Sequence, residues 1–163
     1  MDPLWCTLKG QTLKESNCIL SALSNSEGQG KMIIQTNNTY HTSGGKLSNK
    51  GNLVIEKKLL DNFELDKKVI ALKIDTEGHE YEVLEGGLKT IEKNLPEIIF
   101  EINLQNFDKS IKLLKNFQYN FYYIDEYKYT LYAIDLLKLD LSGPEGSNCL
   151  ATQKKYEDLL KLI

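Results

Sequence analysis

The densest group of ionisable side chains in the sequence is the hexapeptide Asp-Thr-Glu-Gly-His-Glu at positions 75–80. It follows an apolar run and precedes a segment in which apolar residues recur at helical spacing. Carboxylates and an imidazole are the usual general acids and bases of enzymes, and a histidine with an ordinary pKa near 6.5 is suited to base work. The hexapeptide therefore indicates a site where a proton can be moved to or from a bound molecule.

The same residues also have a structural explanation. Acidic residues in the first turn of a helix interact favourably with the helix dipole by about 0.3–1 kcal/mol each. Asp75 or Thr76 can serve as the helix N-cap, Gly78 can ease a tight turn, and His79 can be a surface residue beside three carboxylates. Pattern alone leaves both explanations open.

Strands and helices alternate around the hexapeptide. The nearly unbroken apolar run Val69–Ile74 predicts a central parallel strand that is covered on both faces. Apolar residues at helical spacing predict a helix from Tyr81 to Leu95, which Pro96 ends. The alternation continues with a strand at Glu97–Ile102, a helix at Asp108–Phe117 and a strand at Tyr119–Ile124. This order predicts an α/β fold with a mostly parallel sheet.

The remaining segments predict shorter elements at both ends of the chain. They are a helix at Thr7–Asn17, strands at Cys18–Ser24, Lys31–Gln35, Asn52–Glu56, Tyr129–Ile134 and Asn148–Thr152, a turn at Asn25–Gly30, a polar surface excursion at Thr36–Gly51, and helices at Lys57–Leu65 and Tyr156–Ile163.

Ligands of open parallel sheets bind beyond the carboxyl ends of the strands, where helix N-termini also point. The polar residues predicted at those ends are therefore the candidates for a functional site. They are Ser24 with Asn25, Asp75 with Glu77 and His79, Glu101 with Asn103, and Asp125 with Glu126.

The segment ALKIDTEGHEYEVLEGG resembles the K-I-D-x-E-G-x-E-x-x-V-L-x-G signature of FkbM-family methyltransferases over a dozen positions in register. The flanking segments are similar to that family in the same order. SALSNSEG is similar to its third strand, KKLLDNF to the helix before the signature, IIFEIN to the following strand and NCLAT to the last strand. The resemblance covers residues Asn17 to Thr152.

This resemblance implies a Rossmann-like class I methyltransferase fold that uses S-adenosylmethionine as its cofactor. The implied reaction is O-methylation of a sugar or small-metabolite hydroxyl, with a small molecule or glycan as acceptor. By matching position, Asp75 lies nearest the cofactor and acceptor, Glu77 and His79 are acceptor contacts or the base, and Glu101 is on the adjacent strand. The implied cofactor contacts are Ala22, Leu23, Ser24 and Asp75.

Two features of the family are missing from the sequence. These are the glycine-rich loop after the first strand and the acidic residue after the second strand; Gly10 stands alone before Cys18. The chain is therefore predicted to be one partial domain over residues 1–163, truncated at its N-terminus, with an unpaired apolar edge at Val69–Ile74. The alternative is a catalytically inactive methyltransferase fragment that acts as an interaction module or represents a partial gene model.

Composition excludes several other functional classes. A net charge of -3 with lysine as the only strongly basic residue type argues against a nucleic-acid partner. No apolar run approaches the roughly 20 residues that cross a bilayer, and the N-terminus lacks a signal pattern, which predicts a cytoplasmic protein with no membrane partner.

A third functional class is a metal-dependent hydrolase built on Asp75, Glu77, His79 and Glu80. His79-Glu80 lacks the second histidine of an H-E-x-x-H zinc motif, and the three cysteines include no C-x-x-C pair, so no resident metal is predicted. Asp75 and Asn103 nevertheless remain possible oxygen ligands for a divalent cation that stimulates methyl transfer.

The missing cofactor loop leads to a binding prediction. We expect the 163-residue chain alone to bind S-adenosylmethionine weakly or not at all, because the sequence lacks the family's glycine-rich loop and the acidic residue after its second strand. Isothermal titration calorimetry checks this, and a micromolar one-to-one complex would contradict it.

Overall fold

The computed structural model describes residues 7–8, 11–12, 19–33, 45–134 and 147–161. The strands within these residues are β1 (Thr7–Leu8), β2 (Gln11–Thr12), β3 (Ala22–Leu23), β4 (Gly28–Ile33), β5 (Lys46–Leu47), β6 (Leu53–Lys58), β7 (Ala71–Ile74), β8 (Glu97–Glu101), β9 (Asn120–Asp125), β10 (Thr130–Ala133) and β11 (Asn148–Thr152). The helices are α1 (Glu80–Glu85), α2 (Leu88–Asn94), α3 (Phe107–Lys115) and α4 (Tyr156–Leu159), with a 3-10 helix at Leu60–Asn62.

The largest sheet has the strand order β10-β9-β11-β8-β7. Only β7 and β8 are paired in parallel, and the other three neighbouring pairs are antiparallel. The prediction of a mostly parallel sheet is therefore wrong, although the mixed α/β class is confirmed. The helical connection between β7 and β8 is long enough for a parallel crossover, whereas the short turn after Asp125 allows only a hairpin.

A second sheet has the order β3-β6-β4-β5, in which β3 and β6 are parallel and the other pairs are antiparallel. β4 begins at Gly28, so the predicted turn at Asn25–Gly30 is shorter than expected. The excursion predicted at Thr36–Gly51 includes β5, while residues 34–44 lie outside the described residues.

Two predicted helices are wrong in the described residues. Thr7 pairs with Thr12 and Leu8 pairs with Gln11 in an antiparallel ladder where a helix was predicted; residues 13–18 lie outside the described part. The predicted helix Lys57–Leu65 is instead the end of β6 followed by one 3-10 turn.

The predicted helix from Tyr81 to Leu95 is divided into α1 and α2 at Gly86–Gly87. α2 ends where Leu95 adopts a left-handed conformation, with φ of 47°, directly before the buried Pro96. The proline therefore ends the helix as predicted. The strand predicted at Asn148–Thr152 matches β11, and the final helix is shorter than predicted because it ends at Leu159.

The hydrophobic core lies between helices α1–α3 and the large sheet. Ile98 and Phe100 of β8 are fully buried, and they form one cluster with Leu84, Ile91 and Leu114 from the three helices. Each such side chain contributes about 1.5–3 kcal/mol when it is buried. Strand β8 and helices α1–α3 therefore form the framework that positions the polar residues at the ends of the strands.

Strand β7 is less covered than the sequence predicts. In the part of the chain that the structure describes, it is the outermost strand of the large sheet. Ala71 and Lys73 are exposed, and Ile70 before the strand is 74% exposed. The interpretation of Val69–Ile74 as a strand buried on both faces is therefore wrong, while the expected exposed apolar edge is present in the described residues.

The 3-10 helix packs against the junction of α1 and α2. The Asp61 carboxylate accepts hydrogen bonds from the backbone N–H groups of Lys89 and Thr90 at 3.0 and 2.8 Å. It thus satisfies donors in the first turn of α2, as an N-cap side chain does, from a distant part of the chain. The Asp61 N–H donates to the Gly86 carbonyl at 3.0 Å, which fixes the junction against β6 and β3.

Within the described residues, no helix is both long and apolar enough to cross a lipid bilayer.

The junction glycines provide a matched pair of stability variants. A Cβ on Gly86 would lie 2.0 Å from the Ser24 carbonyl oxygen, whereas a Cβ on Gly87 would meet the end of the Leu60 side chain at 2.8 Å. We expect G86A to lower the free energy of unfolding by about 1–3 kcal/mol or more, because the β3 backbone must move. G87A should cost less, because Leu60 can rotate; urea unfolding of both variants checks the difference, and equal losses would contradict it.

Candidate active site at the carboxyl ends of the strands

The loop between β7 and α1 is shaped by Glu80, the first residue of α1. Glu80 is 2% exposed, and its Oε1 accepts hydrogen bonds from Thr76 N at 3.0 Å, Thr76 Oγ1 at 2.9 Å and Gly78 N at 3.1 Å. Glu77 and Gly78 both have positive φ angles, of 54° and 99°. Left-handed geometry is unfavourable for a glutamate, so the three hydrogen bonds to Glu80 stabilise a turn that would not form by itself.

This geometry settles the capping hypothesis. The N-cap residue of α1 is His79, and its side chain makes no capping hydrogen bond. Asp75 and Thr76 are therefore not the N-cap, although Gly78 does occupy the tight turn predicted for it. The loop also contacts the connection after β8, because the Asn106 side chain donates to the Gly78 carbonyl at 3.1 Å.

Asp75 lies exposed at the end of β7. Lys73 Nζ is 3.3 Å from its carboxylate and donates to Asn148 Oδ1 at 2.8 Å. The Asn148 amide in turn donates to Glu126 at 2.6 Å. A line of polar contacts therefore crosses the ends of β7, β11 and β9, and the Asp75 side chain remains 62% exposed at one end of it.

His79 contacts two elements through its two ring nitrogens. Nε2 is 3.0 Å from Ser24 Oγ at the end of β3, and Nδ1 is 3.5 Å from Glu82 Oε2 in α1. Ser24 is 2% exposed, and its N–H donates to the Lys58 carbonyl at 2.9 Å. The imidazole therefore joins the second sheet to the first turn of α1.

Glu101 is electrostatically coupled to the loop. Its pKa is raised, first by partial burial and then by the negative charges of Glu80, Glu77 and Asp75, while Lys73 lowers it. The parallel pairing of β7 with β8 explains this coupling, because Ile74 lies beside Phe100 and the next residues on the two strands are Asp75 and Glu101. The predicted residues Asp75, Glu77 and Glu101 are thus brought into one acidic cluster.

Other predicted residues have different positions. Ala22 and Leu23 are half-buried in β3, and they pair with Lys57 and Lys58 of β6. Asp125 accepts hydrogen bonds from the backbone N–H groups of Tyr127 and Lys128, and the bonds to the Lys128 backbone and side chain lower its pKa. Asp125 therefore shapes the β9–β10 turn.

Glu82, Lys73 and Asn148 are site residues that the sequence did not identify. Glu82 lies three residues after His79, which is a spacing that brings side chains together on a helix and could have identified it. Lys73 is a single cation in an otherwise apolar strand, which is a weaker signal. The contact between Asn148 and Lys73 spans 75 residues and has no local signal.

In the described part of the chain, no group of three or more histidine, cysteine, aspartate or glutamate side chains is arranged to hold a metal ion. The acidic cluster therefore adds no support to the metal-dependent hydrolase interpretation.

The profile of the Methyltransferase FkbM domain matches residues 12–121, which include the β7–α1 loop, His79 and Glu101. The chain belongs to the FkbM methyltransferase family. No curated protein and no solved structure gives a significant match. The FkbM match ends within β9, so the resemblance of Asn148–Thr152 to the last strand of the family lies outside the matched residues.

The raised pKa of Glu101 gives a pH-dependent stability prediction. The folded state holds this proton more tightly than the unfolded state, so stability falls as pH rises from about 4.5, the ordinary value, through the raised pKa. At pH 7.5 the ionised Glu101 is therefore unfavourable, and we expect E101Q to unfold at a higher urea concentration than the unmodified chain. The advantage should shrink below pH 4.5, where Glu101 is protonated in both states.

A control for this prediction is E92Q, on the exposed side of α2. Its urea midpoint should differ little from that of the unmodified chain at either pH. A midpoint for E101Q that is lower than that of the unmodified chain at pH 7.5 would contradict the assigned direction of the pKa shift.

Proposed function

We propose that this FkbM-family chain carries the acceptor side of a site for methyl transfer from S-adenosylmethionine to a hydroxyl of a sugar or small metabolite. Family membership supports methyl transfer as the activity. The main support for placing the site here is that Asp75, Glu77 and Glu101 lie close together at the ends of β7 and β8. The loop that contains His79 is held beside them by Glu80.

The residues at these strand ends suit the cofactor chemically. S-adenosylmethionine, when bound, supplies a methyl group on a positively charged sulfur, and an acidic cluster favours a cation beside it. The exposed Asp75 carboxylate is also suited to accept hydrogen bonds from ribose hydroxyls. Ser24 is less available, because its hydroxyl and N–H are both engaged within the protein.

Transfer to a hydroxyl requires alignment of the acceptor and removal of its proton. In the proposed site, Glu77 and Glu101 accept hydrogen bonds from hydroxyl groups of the acceptor and so orient it. His79 accepts the proton from the reacting hydroxyl at Nε2. These roles need an acceptor rich in hydroxyl groups, which supports a sugar or a similar small metabolite.

A second candidate is a non-catalytic interaction module derived from the family. The observation that favours it is β7, which is the outer strand of its sheet in the described residues and is preceded by the exposed Ile70. Unpaired strand edges with apolar side chains are templates for pairing with another strand. In this function the acidic cluster would have no chemical role.

A labelled-methyl assay separates the two candidates. S-adenosylmethionine carrying a labelled methyl group is incubated with a panel of monosaccharides and hydroxylated metabolites, using both the 163-residue chain and a version extended upstream. We expect transfer by the extended version, and H79Q should lower kcat about 100-fold because a general base contributes about 10²–10⁴-fold.

The matched control is D108N in α3, whose carboxylate is exposed in the first turn of that helix. It should leave kcat unchanged. Transfer by neither version, across the whole panel, would favour the interaction module, and full activity in H79Q would contradict the assignment of the base.

A further inference from the structure

Ser24, at the end of β3, forms a continuous line of contacts with His79 and Glu82 of α1. The Ser24 hydroxyl is 3.0 Å from Nε2 of His79, and Glu82 Oε2 is 3.5 Å from Nδ1 on the other side of the ring. Both ends of the line are enclosed, since Ser24 is 2% exposed and Glu82 Oε2 is a buried oxygen with no hydrogen bond in the described structure. The His79 side chain itself is 23% exposed.

The two neutral forms of the imidazole differ in their fit to these neighbours. With the proton on Nδ1, the ring presents an N–H dipole to the Glu82 carboxylate and a lone pair to the Ser24 hydroxyl. With the proton on Nε2, the lone pair of Nδ1 faces the buried carboxylate, which is repulsive. The negative charge of Glu82, 3.5 Å from Nδ1, attracts a proton on that nitrogen, so Glu82 favours the Nδ1–H form.

Asn25 provides an interaction that favours the other neutral form of His79, with the proton on Nε2. Its amide nitrogen donates to Glu85 at 2.6 Å, which turns its Oδ1 towards the Ser24 hydroxyl at 3.4 Å. In the Nε2–H form, His79 would donate to Ser24 and Ser24 would donate to Asn25. This gains a long neutral hydrogen bond at 3.4 Å but turns the lone pair of Nδ1 towards Glu82 at 3.5 Å. At such similar distances the full negative charge of Glu82 acts more strongly on the ring than the neutral amide oxygen of Asn25 acts on the hydroxyl.

We propose that Glu82 is a positioning residue that keeps the proton of neutral His79 on Nδ1, so that Nε2 is presented as a proton acceptor. During methyl transfer the acceptor hydroxyl takes the place of the Ser24 hydroxyl beside Nε2, after the Ser24 side chain has rotated away. The second part rests on the proposed function, whereas the first part concerns the chain without any ligand.

In the proposed methyl transfer, one bond forms as another breaks and one proton moves to His79. As the acceptor oxygen forms its bond to the methyl carbon, the bond from that carbon to the sulfur breaks and the electron pair stays on sulfur. The hydroxyl proton moves to Nε2 of His79, which becomes an imidazolium. Glu82, on the Nδ1 side, stabilises the positive charge that the ring acquires.

Nitrogen NMR of the imidazole rings tests the positioning role directly. The chain has only two histidines, His41 and His79, so a long-range proton–nitrogen spectrum of the ¹⁵N-labelled protein shows two rings, and H41Q assigns them. At a pH where the ring is neutral, we expect His79 to show a protonated Nδ1 and an unprotonated Nε2. E82Q should lose this preference and shift both nitrogens towards the average of the two forms.

The matched control is E85Q on the same helix. Glu85 bonds Asn25 and Tyr81, and a glutamine retains an oxygen that can accept from Asn25. The His79 pattern should not change in this variant. S24A should move the Nε2 signal without changing which nitrogen is protonated, because it removes only the hydroxyl that donates to Nε2.

A protonated Nε2 in the unmodified chain would overturn the proposal, and so would an E82Q spectrum identical to the unmodified one in a folded variant. The spectra need neither cofactor nor acceptor, so a confirmed Nδ1–H form without methyl transfer would leave the positioning role intact and reject the proposed function. In a version that transfers methyl groups, E82Q should lower kcat about 10-fold with KM unchanged, while E85Q retains kcat; a loss confined to KM would overturn the catalytic part.

Discussion

The buried carboxylate of Glu80 is the interaction on which the candidate site depends. One of its oxygens accepts three hydrogen bonds from Thr76 and Gly78, and these bonds hold the chain in a left-handed turn directly after β7. A buried carboxylate is unfavourable unless it is hydrogen-bonded, so the turn and the burial of Glu80 require each other. Glu77 lies in this turn and His79 follows it directly, so the positions of both residues depend on it.

The α1–α2 junction attaches the second sheet to this loop. Gly86 has no side chain and so allows the Ser24 carbonyl to approach closely, while Asp61 binds the first turn of α2. These contacts place the end of β3 beside α1, where Ser24 reaches His79. The imidazole is therefore held between the end of β3 and helix α1, and its contact with Ser24 depends on the packing of β3 against Gly86, the last glycine of the FkbM signature.

The sequence predicted that the candidate acidic residues lie together, because they are close in the chain or on adjacent strands. Asp75, Glu77 and His79 belong to one hexapeptide, and Glu101 joins them because β7 and β8 are connected by a helical crossover that makes them parallel neighbours. Predictions failed where the pairing of strands outweighed the pattern within a single segment. Thr7–Leu8 is a strand in a ladder with Gln11–Thr12, and β9 is antiparallel to β10 because the turn between them is short.

The sequence by itself determined the family, the mixed α/β class and the cluster of groups that can exchange protons, because these depend on residue types within short segments. Tertiary structure alone decided that the Glu80 side chain is buried and organises the loop, instead of belonging to the solvent-facing site. It also decided that His79 lies between Ser24 and Glu82. Ser24 and His79 are 55 residues apart. Their contact follows from the packing of β3 on the α1–α2 junction, and periodicity within a segment carries no information about packing between segments.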